Sequence, residues 1–103
     1  VEWRFGADMP VRLEVILNQI FNADYDDIPD GSIFVPKKDY ESRNIQLTTP
    51  AYISQSSRRD AGDWTYYLEL LLVKDLFDGW SVLDQDLLDR VTHYAIYDSL
   101  PDE

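Results

Sequence analysis

The stretch Trp64-Thr65-Tyr66-Tyr67-Leu68-Glu69-Leu70-Leu71-Leu72-Val73 decides the fold. As a strand it places Trp64, Tyr66, Leu68, Leu70 and Leu72 on one face, with Thr65, Tyr67, Glu69, Leu71 and Val73 on the other. As a helix it scatters Thr65, Glu69, Lys74 and Asp78 around the circumference. The alternation and the aromatic residues favour a strand. The expected fold is therefore α+β: an N-terminal helix, a three-stranded antiparallel sheet and a C-terminal amphipathic helix. The alternative is mostly helical, with 64–77 as a central helix. Helix well above half of the residues by circular dichroism would favour that alternative.

Upstream, Asn44-Ile45-Gln46-Leu47-Thr48 alternates as a half-buried strand does. Pro50 interrupts it and implies an edge or a break, after which Ala51-Tyr52-Ile53 resumes. Ser32-Ile33-Phe34-Val35 reads as a short strand closed by Pro36. Pro10 fits a first helical turn, where its missing N–H costs nothing. Val11, Leu13, Val15, Ile16, Leu17, Ile20 and Phe21 then recur near helical spacing, up to Asn22. Downstream, Ser81 is placed to cap the last helix, with Asp84 adding charge to its first turn. Leu83, Leu87, Val91 and Tyr94 form its apolar stripe, broadened by Leu88 and Ala95. Asp86, Asp89 and His93 fall on the wet face, and Pro101 stops the helix. Residues 24–31 and 56–63 read as loops, rich in Asp, Pro, Gly and Ser.

The chain of 103 residues is one domain. Surface scaling gives roughly 6,000 Å² exposed when folded against roughly 17,500 Å² for the open chain, enough burial for a core. Hydrophobic content of 45% and 14% aromatics separate it from disordered acidic tails. No cysteine is present, which removes disulfides and thiolate metal sites and fits a reducing compartment. The longest apolar run, Leu70 to Val73, is far short of the ~20 residues of a bilayer span. No secretory signal is visible, so a cytoplasmic protein with no membrane partner is expected. The first residue is Val1 rather than Met, and trimming or processing there is expected.

Charge is the strongest functional clue. Twenty acidic residues, fifteen of them aspartate, face nine basic ones, for a net charge of −11. Such an excess works against compaction while steering association with a partner of opposite sign. Residues 1–30 carry net −5, residues 31–59 net +3 and residues 60–103 net −9. The acid is thus held at the two ends of the chain.

No catalytic or cofactor motif emerges. Asp24, Asp26, Asp27 and Asp30 before Gly31 suggest a calcium loop. With Asp26 at position 1, however, Ile28 takes position 3 and Lys37 takes position 12, where the closing Glu belongs. The loop is instead a solvated turn or an acidic contact patch. His93 is the only histidine, and Ser56, Ser57 and Ser99 sit in no nucleophile motif. The glycines form no phosphate cradle. Lys37-Lys38, Arg43 and Arg58-Arg59 are read as counter-charges within the fold rather than an anion site. Direct nucleic-acid binding needs a basic face, which the net charge opposes. A non-enzymatic protein without cofactor or metal is expected.

Three readings compete for the acid. A nucleic-acid mimic would present carboxylates where phosphates belong and block a nuclease or another nucleic-acid enzyme, as anti-defence proteins do. An immunity protein would neutralise one basic toxin. Salt adaptation would spread acid over the whole surface, which agrees with only three lysines but less well with the basic middle segment. A structural assembly adaptor is a further option. Magnitude limits mimicry: a helix from Asp84 to Asp98 spans about 21 Å at 1.5 Å per residue, where duplex DNA carries roughly 12 charges. That helix holds four acids and Arg90. Size, charge and lack of cysteine are similar in type to small acidic inhibitors encoded by phages and mobile elements, without a shared motif. The expected function is inhibition of a basic, nucleic-acid-processing protein. The expected contact residues are Asp24, Asp26, Asp27, Asp30, Asp78, Trp80, Asp84, Asp86 and Asp89. The loop acids and the helix acids Asp86 and Asp89 are expected on one side of the molecule, with Trp80 partly exposed as an aromatic anchor.

Overall fold

The computed structural model describes residues 3, 6, 9–55 and 60–98, and for residues 60 and 61 the backbone only. Expectations for Ser56, Ser57, Arg58, Arg59, Ser99, Pro101, Asp102 and Glu103 lie outside the described residues. The described elements run β1 (Val11–Arg12), α1 (Leu13–Asn22), β2 (Ser32–Pro36), α2 (Lys37–Glu41), β3 (Pro50–Ser54), β4 (Asp60–Ala61), β5 (Trp64–Glu69), α3 (Leu70–Leu76) and α4 (Gln85–Tyr97). A 3-10 turn at Tyr25–Asp27 lies between α1 and β2. The sheet is antiparallel with the order β1-β3-β2-β5-β4. The class is α+β, but the sheet has four strands rather than the expected three. The short β1 lengthens it further, pairing Val11 with Ala51 and Arg12 with Pro50.

The decisive stretch is strand and helix in succession. Strand β5 ends at Glu69 because its partner β2 begins at Ser32, the residue opposite Glu69. Beyond that point no strand offers hydrogen bonds, and buried backbone groups need partners. The chain satisfies them by turning into α3, whose first amide, Leu70 N–H, donates to the Gly31 carbonyl at 3.0 Å. Burial then follows helical spacing, with Leu70, Val73 and Phe77 inside and Leu71 outside. The expected alternation also breaks within β5. Ile33 pairs with Leu68 and Phe34 with Tyr66, so Tyr67 is one residue too many on β5, a β-bulge. Tyr67 and Leu68 are in consequence both buried.

The Asn44–Thr48 stretch is a turn, not a strand. It serves the start of α1. Leu13 N–H donates to the Thr49 carbonyl at 2.7 Å and Glu14 N–H to the Leu47 carbonyl at 2.9 Å. These amides have no partner inside the helix. Buried Thr49 shapes the turn, its Oγ1 accepting from Gln46 N–H at 2.8 Å. Pro10 therefore precedes β1 instead of opening the helix, and Val11 lies in the strand. Leu13, Ile16, Leu17 and Ile20 are buried, whereas Val15 faces outward. Pro50 opens β3 rather than interrupting a strand, a first position where no ladder donor is lost.

Helix α2 was not legible in the 31–59 segment. It docks on α4 through Tyr40, whose hydroxyl donates to the Ala95 carbonyl at 3.0 Å. Arg43 stands over the Tyr97 ring, 5.4 Å from its centroid. At least this base is used within the fold.

One face of the sheet, through Ile33, Val35, Ala51 and Leu68, packs against α1, α3 and α4 to make the core. The other face carries Phe34 stacked on Tyr52, with centroids 5.3 Å apart, and Trp64 edge-on to Tyr52 at 4.9 Å. The total accessible surface of 6244 Å² agrees with the size scaling.

Tyr67 is fully buried, and its hydroxyl meets Thr92 Oγ1 on α4 at 2.8 Å. Burial raises its pKa above the ordinary tyrosine value, opposed in part by the Thr92 hydrogen bond. Burial raises Tyr52 and Tyr40 as well, with Arg43 opposing at Tyr40. In the unfolded chain these phenols ionise near pH 10 while the folded chain keeps them neutral, so stability is full below that pH and falls as pH rises through it. Urea denaturation between neutral pH and about pH 11 is expected to show a loss of up to about 1.4 kcal/mol per pH unit above about pH 10 from Tyr67. Tyr67→Phe, which cannot ionise, should remove that component. An unchanged slope in the variant would count against Tyr67 as its source.

Candidate functional site

All nine acidic or aromatic residues singled out from the sequence, Asp24, Asp26, Asp27, Asp30, Asp78, Trp80, Asp84, Asp86 and Asp89, are exposed. The fold divides them among three places.

The first is a groove of about 360 Å³ where the end of α1, the 3-10 turn and the end of α3 meet. Phe21 and Phe77 form its apolar floor, edge to face at 5.4 Å. Tyr25 and Trp80 flank it and remain 50% and 37% exposed. Two local devices position these side chains. After α1 the chain turns at Asp24, whose carbonyl accepts from Asp27 N–H at 2.9 Å, and Tyr25 swings toward α3. The Tyr25 hydroxyl donates to Asp75 Oδ1 at 2.6 Å. After α3, Gly79 adopts φ +85°, a left-handed conformation that suits glycine. That reversal lets Trp80 N–H donate to the Phe77 carbonyl at 3.0 Å and brings the indole back over the groove.

The electrostatics of this groove are mixed at its wall and negative around it. Lys74 Nζ donates to the Phe21 carbonyl at 3.2 Å and stands 5.9 Å from the centroid of the Tyr25 ring. Asp75 and Asp78 are exposed beside it, and Asp24, Asp26 and Asp27 flank Tyr25 in the chain. The Tyr25 hydroxyl is held above the ordinary tyrosine pKa, first by its hydrogen bond to Asp75, then by slight desolvation and the charges of Asp75 and Asp78.

The second place is a cavity of about 260 Å³ beside the start of α3, lined by Asp30, Glu69, Ser32 and Ser54 among others. Asp30 is the one loop acid that lines this cavity. The third is α4. Asp86 and Asp89 lie on its outward side, where Gln85 Nε2 donates to Asp89 Oδ1 at 2.9 Å. No described contact links these two acids to the groove.

Asp84 has a structural duty. It is the N-cap of α4, its Oδ1 accepting from Leu87 N–H at 3.0 Å. Ser81 therefore does not cap the helix. The C-terminal end is Asp98 at φ +58°, ahead of Pro101. Asp84→Ala is expected to destabilise the fold by about 1 kcal/mol, while Asp84→Asn, which keeps the acceptor, should cost little. Thermal unfolding of the two variants checks this. Equal losses would show that charge, not the cap, is what matters at that position.

Arg12 Nη1 forms an ion pair with Glu14 Oε1 at 3.2 Å, and the described residues contain no cluster of three or more His, Asp or Glu side chains placed to hold a metal ion. Among them, no helix is long and apolar enough to cross a membrane.

Sequence reasoning missed Phe21, Tyr25, Lys74 and Phe77 as members of a site. Two signals were present: a tyrosine inside an acidic run, and a Gly79-Trp80 step after a short helix. Nothing in the sequence joined them, because they come together across some fifty residues of chain. Comparison with protein-family models, with curated proteins and with solved structures finds no match to this chain.

Proposed function

We propose that the protein is a non-enzymatic inhibitor that binds a basic, nucleic-acid-processing protein and blocks its nucleic-acid site. The observation that carries this reading is the groove itself: exposed Tyr25 and Trp80 with the exposed carboxylates of Asp75 and Asp78 at its rim, on a chain of net charge −11. Carboxylates of this kind steer a cationic partner and raise the rate of encounter, while buried aromatic anchors supply affinity. Exposed acids contribute little to the stability of the fold itself.

The same groove favours neutralisation of one cognate protein, as in an immunity pair, over replication of a whole duplex. Helix α4 is about 20 Å long at 1.5 Å per residue, and its own acids are Asp86 and Asp89, beside Arg90. A duplex of that length presents roughly 12 phosphates. Inhibition then rests on an aromatic anchor in an acidic field and less on a ladder of phosphate mimics.

The test is an affinity pull-down from the native host, followed by assay of the captured protein. A nucleic-acid enzyme whose activity falls in proportion to added inhibitor supports the reading. A captured assembly component without nucleic-acid chemistry would replace it with the adaptor role. The protein itself should not shift DNA or RNA in a gel at low salt, where electrostatic binding is strongest. A shift there would overturn the inhibitor reading.

A further inference from the structure

We propose that the groove between Tyr25 and Trp80 receives an arginine or lysine side chain of the basic partner, in a place where Lys74 stands in the unbound protein. This rests on the reading that the acid serves a basic protein, and it names the contact. Three features favour a cation there. The Tyr25 ring offers a face, and the protein's own ammonium already lies 5.9 Å from its centroid. The Phe21 carbonyl accepts from that ammonium at 3.2 Å, so an acceptor for a second N–H donor is in place. Asp75 and Asp78 supply negative charge at the rim, and Asp75 is held in position by the Tyr25 hydroxyl.

The apolar part of the groove adds the second half of the recognition. Long basic side chains lay their methylene stems on apolar surface and keep the charged head at its edge. Phe21, Phe77 and Trp80 provide that surface, and the rim acids meet the head. Arginine matches best, because its planar guanidinium stacks on aromatic rings and binds carboxylates through two parallel N–H groups. Charge complementarity identifies the occupant as a basic protein segment: at net −11 the molecule repels polyanions and attracts cationic surfaces. Lys74 is then an internal competitor. Its departure from the Tyr25 face accompanies binding, so its removal tightens the complex.

The test uses the full chain and a hexa-arginine peptide as probe, followed by nitrogen-15 NMR at low salt and at about 0.15 M salt, where the screening length is about 8 Å. The expected result is that the Trp80 indole N–H and the amides of Tyr25 and Asp78 shift most, and that these shifts persist at the higher salt. Trp80→Ala should weaken the peptide at least several-fold. Lys74→Met should tighten it by about two- to five-fold, the range of one exposed cation–π contact. Lys38→Met, an equal charge change on α2 away from the groove, should leave the affinity nearly unchanged at the higher salt. Shifts centred on Asp86 and Asp89 with a silent groove would overturn the anchor while leaving a basic partner in force. No binding at low salt would overturn both. Oligo-thymidine moving Trp80 in place of the peptide would overturn the protein partner in favour of a single strand. If Trp80→Ala does not fold, the Lys74→Met and Lys38→Met pair still decides the matter: equal effects of the two would overturn the anchor.

Discussion

Replacing Asp24, Asp26, Asp27 and Asp78 together by Asn is expected to slow association with the basic partner by about ten-fold or more at low ionic strength. Asp78 lines the groove, Asp24, Asp26 and Asp27 neighbour its Tyr25 in the chain, and all four are exposed, so they act on the encounter before contact. Asparagine keeps the shape and removes the charge. The salt dependence of the association rate should flatten in the same variant, because steering is what salt screens. Dissociation should change less, since the aromatic anchors stay. Folding stability is expected to hold or rise slightly, because like-charge repulsion is relieved and surface acids contribute little. Stopped-flow association at two salt concentrations, with urea denaturation alongside, measures both. Asp30→Asn, Asp86→Asn and Asp89→Asn together serve as comparison, because they lie at the α3 cavity and on α4 rather than at the groove. An unchanged association rate in the first variant, or an equal loss in the second, would sink the groove as the site of encounter.

Leu70→Ala should cost about 2–5 kcal/mol, a large share of the roughly 5–15 kcal/mol that holds a domain of this kind together. Leu70 is fully buried at the point where β5 becomes α3. Its Cδ1 lies 3.6 Å from where a Cβ on Gly31 would stand, so the junction is closely packed and collapse into the lost volume is limited. Leu71→Ala, next in the chain and 36% exposed, should stay within about half a kcal/mol. Val73→Ala should again be costly, because Val73 is buried one helical turn on from Leu70. A continuous strand through 64–73 would instead group Leu70 with Leu72 and Leu71 with Val73. Chemical denaturation of the three variants distinguishes the patterns, and equal losses at Leu70 and Leu71 would contradict the helix.

Much of this architecture was legible in local pattern. The apolar spacing of Leu13, Ile16, Leu17 and Ile20 marks α1, and that of Leu87, Leu88 and Val91 marks α4, because a helix that buries one stripe repeats every 3.6 residues. Ser32 to Pro36 reads as a strand and is one. The exposure of the Asp24–Asp30 acids and of Trp80 also follows from composition and turn chemistry.

What sequence pattern alone determined is the class, the two long helices, the β2 strand and the negative charge at the ends of the chain, because each is written in consecutive residues. What only the tertiary structure decided is where pairing stops. Residues Trp64 to Glu69 are strand because β2 lies beside them, and Leu70 to Leu76 are helix because β2 has ended. Ile45 and Leu47 alternate as strand residues do, yet their backbone is spent on capping α1 through Leu47 and Thr49. The groove has the same origin. Phe21 and Tyr25 meet Lys74, Asp75, Phe77 and Trp80 only because α1 packs on α3, and no periodicity in the chain records a contact made across some fifty residues.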